Sequence, residues 1–245
     1  MNLNGVKVLL TGGTSGIGLK TVEALVREGA KVVVVARDEA KLERLHQTHV
    51  LAGTYACDLA QPAEVLKMGV ELGRVHPDLM VLINNAAIQH NILFDSEHST
   101  PESIEYEMRT NFLAPLLLTR ALLPTLKQQQ EAAIINITSG LALVPKRSAA
   151  VYCGTKGGLR IFTQALRNQL EGSRIRVIEV LPPVVDTPMT AGRGRLKLSP
   201  ERVADATVGA LLGRLDEVHV EKTKILHWLS RVSPTAARSL MKRMG

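Results

Sequence analysis

Three residues in the second half of the chain have the types and spacing for proton chemistry: Ser139, Tyr152 and Lys156. A four-residue step on a helix puts Tyr152 and Lys156 on one face with their heads adjacent. A free phenol titrates near ~10 and is a poor proton shuttle at neutral pH. An ammonium held close stabilises the phenolate and lowers that value, as general acid/base work requires. Ser139 follows an apolar run and could donate to a substrate oxygen. A second group suits anion binding: Thr11-Gly12-Gly13-Thr14-Ser15-Gly16-Ile17-Gly18 lies between an apolar run and a helical pattern. Gly12 permits a tight turn, Gly16 lets backbone approach a diphosphate, and Gly18 lets helix and strand pack closely. Amides at the helix start, with the helix dipole behind them, favour a phosphate. Thr14, Ser15 and Ile17 belong to the same turn, and the whole reads as a dinucleotide site.

The end of the second apolar run refines that reading. Where an acid would accept from an adenosine ribose 2′-hydroxyl, the chain has Ala36 followed by Arg37. A guanidinium there can pair with a 2′-phosphate. Asp38, next along, is an alternative hydroxyl acceptor. NADP(H) is the preferred cofactor, with NAD(H) left open.

The elements that must position these groups alternate. Val6–Thr11, Lys31–Ala36, Thr54–Cys57, Leu79–Ile83, Ala132–Ile137, Arg174–Leu181 and Val218–Val220 read as strands. Most are continuous apolar runs, as strands buried on both faces require. Gly16–Gly29, Asp38–His49, Pro62–Val75, Pro101–Gln130, Ala149–Glu171 and a stretch opened by Ser199-Pro200-Glu201 read as helices. Pro115 and Pro124 mark a bend or break in the longest of them. Strands alternating with helices pair in parallel through right-handed crossovers. The expected fold is a three-layer, doubly wound α/β fold with a mostly parallel seven-stranded sheet. It forms one domain over residues 1–245, with a basic helical extension at 221–245.

Composition excludes several function classes. The 245 residues are 45% hydrophobic and can bury a core without metal or disulfide. Of the formal charge of +7, most sits between Glu221 and Gly245, where six bases meet one acid. The nearly balanced body argues against a nucleic-acid groove, and seven aromatics are too few for base stacking. No apolar run approaches the roughly 18–20 residues that span a bilayer. The first residues lack a secretory pattern, so a cytoplasmic location is expected. Cys57, Cys153 and seven scattered histidines offer no paired ligand spacing, and no metal is expected.

The motifs taken jointly carry a resemblance. Thr11-Gly12-x3-Gly16-x-Gly18, Asp58, Asn84-Asn85-Ala86-Ala87, Asn111, Ser139, Tyr152-x3-Lys156 and Pro182 through Thr187 occur in one order and spacing. The chain thereby resembles the short-chain dehydrogenase/reductase family from Val6 to about Val220. The resemblance implies a Rossmann fold and hydride transfer between a nicotinamide dinucleotide and an alcohol/carbonyl pair. It implies Tyr152 as the acid that protonates a carbonyl oxygen and Lys156 on the nicotinamide ribose hydroxyls. Ser139 would orient the carbonyl, and Asn111 would hold a water behind Lys156. Asp58, with Leu59 beside it, would accept from the adenine amino group, while Asn85 and Ala86 line the adenosine ribose. Val185 and Thr187 would hold the carboxamide, with Ala87 and Pro182 completing the cofactor wall. Ala87 and Pro183 stand where the family usually has glycine. These departures and the basic tail motivate an alternative, a cofactor-binding scaffold or redox-sensing regulator.

The resemblance also locates the substrate, between the segments that follow Ser139, Ala87 and Pro182. Gly140 to Pro145 is apolar, so Leu141 and Leu143, with Met189, are the expected contacts of a hydrophobic or mixed carbonyl compound. Arg193, Arg195 and Lys197 either meet an acidic substrate or belong to a solvated lid. The chain's ending is similar to a bacterial subgroup, oxidoreductases associated with teichoic-acid D-alanylation. On helical spacing Leu226, Leu229 and Val232, flanked by Ile225 and Trp228, form one apolar surface. Ala236, Ala237, Leu240, Met241 and Met244 form another. Both need cover from the body, a second subunit or a membrane surface. A homodimer or homotetramer pairing through Pro101–Gln130 and Ala149–Glu171 is the implied assembly, with neither nucleic acid nor membrane as a partner.

Overall fold

Val8-Leu9-Leu10 shows why the strands read as unbroken apolar runs. Side chains alternate along a strand, so Val8 and Leu10 enter one core while Leu9 enters another. Val32 and Val34 oppose Val33 and Val35 in the same way, as do Ala133 and Ile135 against Ala132 and Ile134. Two apolar layers therefore flank one sheet in this computed structural model, which describes residues 1–194 and 196–243. Arg195 and Met244, named above for the lid and the tail, lie outside the described residues.

The strands are β1 (Lys7–Thr11), β2 (Lys31–Ala36), β3 (Gly53–Ala56), β4 (Leu79–Asn84), β5 (Ala132–Ile137), β6 (Ile175–Leu181) and β7 (Glu217–His219). They form one seven-stranded sheet in the order β3-β2-β1-β4-β5-β6-β7. Every pairing is parallel, beyond the mostly parallel sheet expected. Sheet growth reverses direction between β1 and β4. The carboxyl ends of those two strands bound the crevice where open α/β sheets take their ligands.

The flanking helices are α1 (Gly16–Arg27), α2 (Glu39–Thr48), α3 (Pro62–Val75), α4 (Pro101–Met108), α5 (Ala114–Gln128), α6 (Ala150–Gln169) and α7 (Pro200–Leu212). Asp38 caps α2, its Oδ1 accepting the Lys41 N–H at 2.9 Å. Ser199 precedes α7 without capping it by its side chain, so Pro200 at the first helical position defines that start. Between α4 and α5 the helix does not break. It widens into a π turn at Arg109–Leu113, with the Ala114 N–H reaching back five residues to the Arg109 carbonyl. Pro115, which has no N–H to donate, follows in the first turn of α5, and Pro124 is carried inside that helix. The prolines thus accompany a change of register where a bend or break was expected.

Two further features hold the site in place. Glu179 on β6 is fully buried, accepting from the Thr138 hydroxyl at 2.7 Å and from Arg160 of α6 at 2.5 Å. Arg160 also reaches Glu217 at 3.0 Å, so one guanidinium clamps α6 to β6 and β7. The chain ends in α8 (Lys222–Val232) and α9 (Pro234–Arg243), with Ala237 fully buried. Among the described residues no helix is long and apolar enough to cross a membrane.

Candidate active site

Backbone closeness at the ends of β1 and β4 builds the first part of the site. Gly12 adopts φ +74°, and a Cβ there would stand 2.9 Å from the Ala86 Cα. A Cβ on Gly18 would stand 2.0 Å from the Gly12 carbonyl oxygen. The seat is tied together by hydrogen bonds. The Asn85 Nδ2 donates to the Thr11 carbonyl at 3.0 Å, and the Asn85 and Ala86 N–H groups donate to Thr11 Oγ1, each at 3.1 Å. The first turn of α1 contains no acid, and the Ser15 side chain caps none of its amides. Those amides open on a cavity of about 870 Å³, as an anion site requires.

Cations lie farther along the same wall. Arg37 Nη1 donates to the Tyr106 hydroxyl at 2.7 Å, and that hydroxyl donates to Asp58 Oδ1 at 3.5 Å. Asp38, the alternative ribose acceptor, is already engaged. Its Oδ1 caps α2, its Oδ2 lies 3.3 Å from the Lys41 ammonium, and the Lys41 N–H bond holds its carboxyl below the usual range. Arg37 and Lys41 both line the cavity there, a setting suited to a phosphate.

The proton-active residues meet at the centre of the cavity. Tyr152 and Lys156 stand one turn apart on α6, with the Lys156 Nζ 5.8 Å from the phenol ring centroid. Lys156 is 2% exposed and donates to the Ile137 carbonyl at 2.8 Å. Burial pushes its ammonium down to about 8, against the pull of Glu107. Burial likewise drives the Tyr152 phenol above its ordinary value, opposed by Ser139 beside it. The phenol thus stands above its ordinary value, where the sequence led to the expectation of a lowered one. Both heads are out of water, and desolvation penalises both charged forms. Ser139 Oγ accepts the Leu141 N–H at 3.1 Å, which leaves its own proton free to donate.

Behind Lys156 lies a group the sequence reading missed. Glu107 lies in the last turn of α4, four residues before Asn111, and is 1% exposed. Its Oε1 accepts the His90 N–H at 3.3 Å, and burial pushes its carboxyl up to about 7. Asn111 sits in the π turn, fully buried. Its amide exchanges two 2.8 Å hydrogen bonds with the Ile88 backbone and donates to Thr155 Oγ1 at 3.3 Å. Asn111 thus fastens the segment after β4 to α6 and does not line the cavity. The sequence carried no signal that singled out Glu107, since Glu102 and Glu105 share its helix and only burial separates them.

Residues 6–196 match the family model for short chain dehydrogenases. The chain belongs to the short chain dehydrogenase family. It is 39% identical over 189 residues to the uncharacterized oxidoreductase DltE of Bacillus subtilis (strain 168), covering 76% of this chain and 74% of that protein. It is 31% identical over 264 residues to the ketoacyl reductase HetN of Nostoc sp. (strain PCC 7120), covering 99% and 90% of the two chains. The crystal structure of a short chain dehydrogenase from Burkholderia cenocepacia J2315 in complex with NADP matches with a TM-score of 0.88. That match has 29% sequence identity and covers 98% of this chain and 99% of the other. The family expected from the motifs and the DltE-like grouping expected from the chain's ending are borne out, and this short chain dehydrogenase is an oxidoreductase of that family.

Most of the residues expected from the motifs line the cavity of this short chain dehydrogenase. Gly12, Thr14, Ser15, Gly16, Ile17 and Gly18 do so at the glycine turn, with Arg37, Asp58 and Leu59 beyond them. Asn85, Ala86, Ala87, Ser139, Tyr152 and Lys156 form the middle, and Pro182, Val185, Thr187, Leu141 and Met189 the far wall. Leu143 is a correction. The 3₁₀ turn Gly140–Ala142 ends at Leu143, and the tight turn that presents Leu141 to the cavity carries Leu143 off it. Thr190, which drew no notice in the sequence, is buried and hydrogen-bonds the Val185 and Thr187 carbonyls, holding that wall. His219 and His227 read as scattered, yet their rings meet at 4.1 Å beside Glu217. The Arg160 guanidinium already holds that carboxylate.

Proposed function

We propose that this short chain dehydrogenase moves hydride between NADP(H) and an alcohol/carbonyl pair, with Tyr152 as general acid in the reductive direction. The observation that carries the reading is that Ser139, Tyr152 and Lys156 open on the same cavity as the uncapped amides of α1 and the cations Arg37 and Lys41. The match to a family member in complex with NADP supports the cofactor. Gly12 to Gly18 would hold its diphosphate, Arg37 its 2′-phosphate and Lys156 its ribose hydroxyls, and the nicotinamide would supply the hydride.

Ser139, whose oxygen already accepts from Leu141, donates a hydrogen bond to the substrate carbonyl oxygen and keeps its proton. Tyr152 delivers its own proton to that oxygen as hydride adds to the carbon, giving the alcohol. The phenol, protonated at neutral pH even when free, is raised further by burial and so stays in the form that reduction needs. Lys156, still ammonium below about 8, offsets the charge left on the phenolate until a proton returns. Asn111 acts on this relay by fixing α6 against the segment after β4. The protein is further proposed to be cytoplasmic and to assemble as a dimer or tetramer through α4–α5 and α6, where Met108 and Ile161 are exposed.

NADPH consumption across a panel of carbonyl compounds tests the reaction. Turnover of any member supports it, and none would favour the scaffold reading. Arg37→Ala is expected to weaken NADPH binding by about 10–100-fold, the range for a hydrogen bond to a charged group, with little effect on NADH. Tighter NADH than NADPH binding by the wild type would overturn the cofactor choice.

Glu107 gives a pH prediction. Its charge raises the Lys156 ammonium, so Glu107→Gln lowers the pH at which that ammonium is lost. The alkaline limb of the kcat profile should move to lower pH, and Glu107→Asp should move it back. An unshifted profile would separate Glu107 from the relay.

A further inference from the structure

The cavity extends past Tyr152, and the tail builds its outer wall. Leu226 and Leu229 of α8 and Leu240 and Met241 of α9 all line it. The wall begins at the catalytic loop, for a Cβ on Gly140 would stand 3.5 Å from the Leu226 Cδ2. Facing the tail is the segment after β6, with Val184 and Leu196. Several of these apolar side chains line the cavity and still meet water: Leu196 is 78% exposed, Ile225 67% and Leu240 46%. Together they form an apolar trough leading from the catalytic tyrosine to the surface, a surface that water covers poorly.

Three cations line this cavity besides Arg37, Lys41 and Lys156: Lys146, Arg193 and Lys222. Their side chains bond neutral groups. Lys146 donates to Asn91 Oδ1, Arg193 to Gln89 Oε1 at 2.9 Å, and Lys222 to the Leu196 carbonyl at 3.1 Å. Among the described residues none of the three forms an ion pair, whereas Lys197 nearby is paired with Asp186 at 3.1 Å. The Arg193 and Lys222 bonds also tie the segment after β6 to both sides of the cavity. Uncompensated positive charge beside an open apolar trough is complementary to a molecule with an aliphatic chain and an anionic group.

We propose that the substrate is a long-chain aliphatic carbonyl compound bearing an anionic group, its chain lying against α8 and α9. This rests on the carbonyl-reduction reading above and makes the tail part of the substrate site.

The full-length protein is assayed with NADPH and unbranched aldehydes from butanal to dodecanal. Burial of successive methylenes in the trough should raise kcat/KM by about three- to fourfold each until the wall is filled. Leu229→Trp or Met241→Trp, which fill the trough, should move the optimum to shorter aldehydes. Aldehydes carrying a terminal carboxylate should surpass uncharged ones of equal length by about tenfold, and the joint change Arg193→Gln with Lys222→Gln should abolish that advantage. A flat wild-type series, or a preference for the uncharged compounds, overturns the proposal while leaving carbonyl reduction standing. If no aldehyde is turned over, calorimetric titration separates the two readings. Dodecanoate binding at least about tenfold tighter than butanoate in wild type, and weaker in Leu229→Trp, supports the trough alone, whereas equal affinities overturn it.

Discussion

Replacing Tyr152 by phenylalanine is expected to lower kcat for carbonyl reduction by about 10²–10⁴-fold, the range that a positioned general acid contributes. The substitution removes one hydroxyl and keeps the ring, so the packing of α6 and the Lys156 bond to the Ile137 carbonyl should survive. NADPH affinity should stay close to wild type, because Gly12 to Gly18 and Arg37, proposed for its diphosphate and 2′-phosphate, are untouched. Single-turnover NADPH oxidation reads the chemical step, and fluorescence titration of NADPH reads binding. The loss should appear in the first and persist at every pH, since the variant has no proton to give. Wild-type turnover by this variant on each reactive carbonyl tested would remove Tyr152 from the role of acid.

Gly18→Ala is expected to lose dinucleotide binding and to destabilise the fold. Its methyl would stand 2.0 Å from the Gly12 carbonyl oxygen and 2.6 Å from the Asn85 Nδ2, a backbone and a side chain that are themselves tied together. Neither can yield alone, so α1 must shift away from the crevice between β1 and β4. Overpacking of this kind costs about 1–3 kcal/mol or more, a fall in Tm of several degrees for a chain of this size. Gly209→Ala, on the exposed face of α7 with nothing within 4 Å of the added methyl, serves as the comparison. It should gain up to about 1 kcal/mol from helix propensity and leave NADPH binding alone. Thermal unfolding with and without NADPH checks both. A Gly18→Ala protein that binds NADPH as wild type does would show that the turn is not the diphosphate seat.

Much of this architecture was legible because its signals are local. Val8-Leu9-Leu10 or Val32 to Val35 can only be strands buried on both faces, since neighbours on a strand point to opposite cores. The glycine turn and the Tyr152–Lys156 step declare themselves because close backbone approach and helical pitch each act within a few residues. Where the reading failed, the deciding partner was distant in sequence. Pro115 and Pro124 signalled a bend or break, whereas the helix runs on through a π turn that carries the buried Asn111. Leu143 shares the character of Leu141, and only the direction of a 3₁₀ turn separates them.

By itself, then, the sequence determined the parallel sheet, the glycine seat and the proton-active side chains, because each is encoded by periodicity or by residue type within one or two turns. Tertiary structure alone decided that the Glu107 charge acts on Lys156 and that burial raises the Tyr152 phenol against the Ser139 hydrogen bond. It alone decided, too, that Leu226 and Leu240 close the same cavity as Ser139. Desolvation and charge coupling depend on which elements surround a group, and those elements come together only when the sheet and its helices assemble.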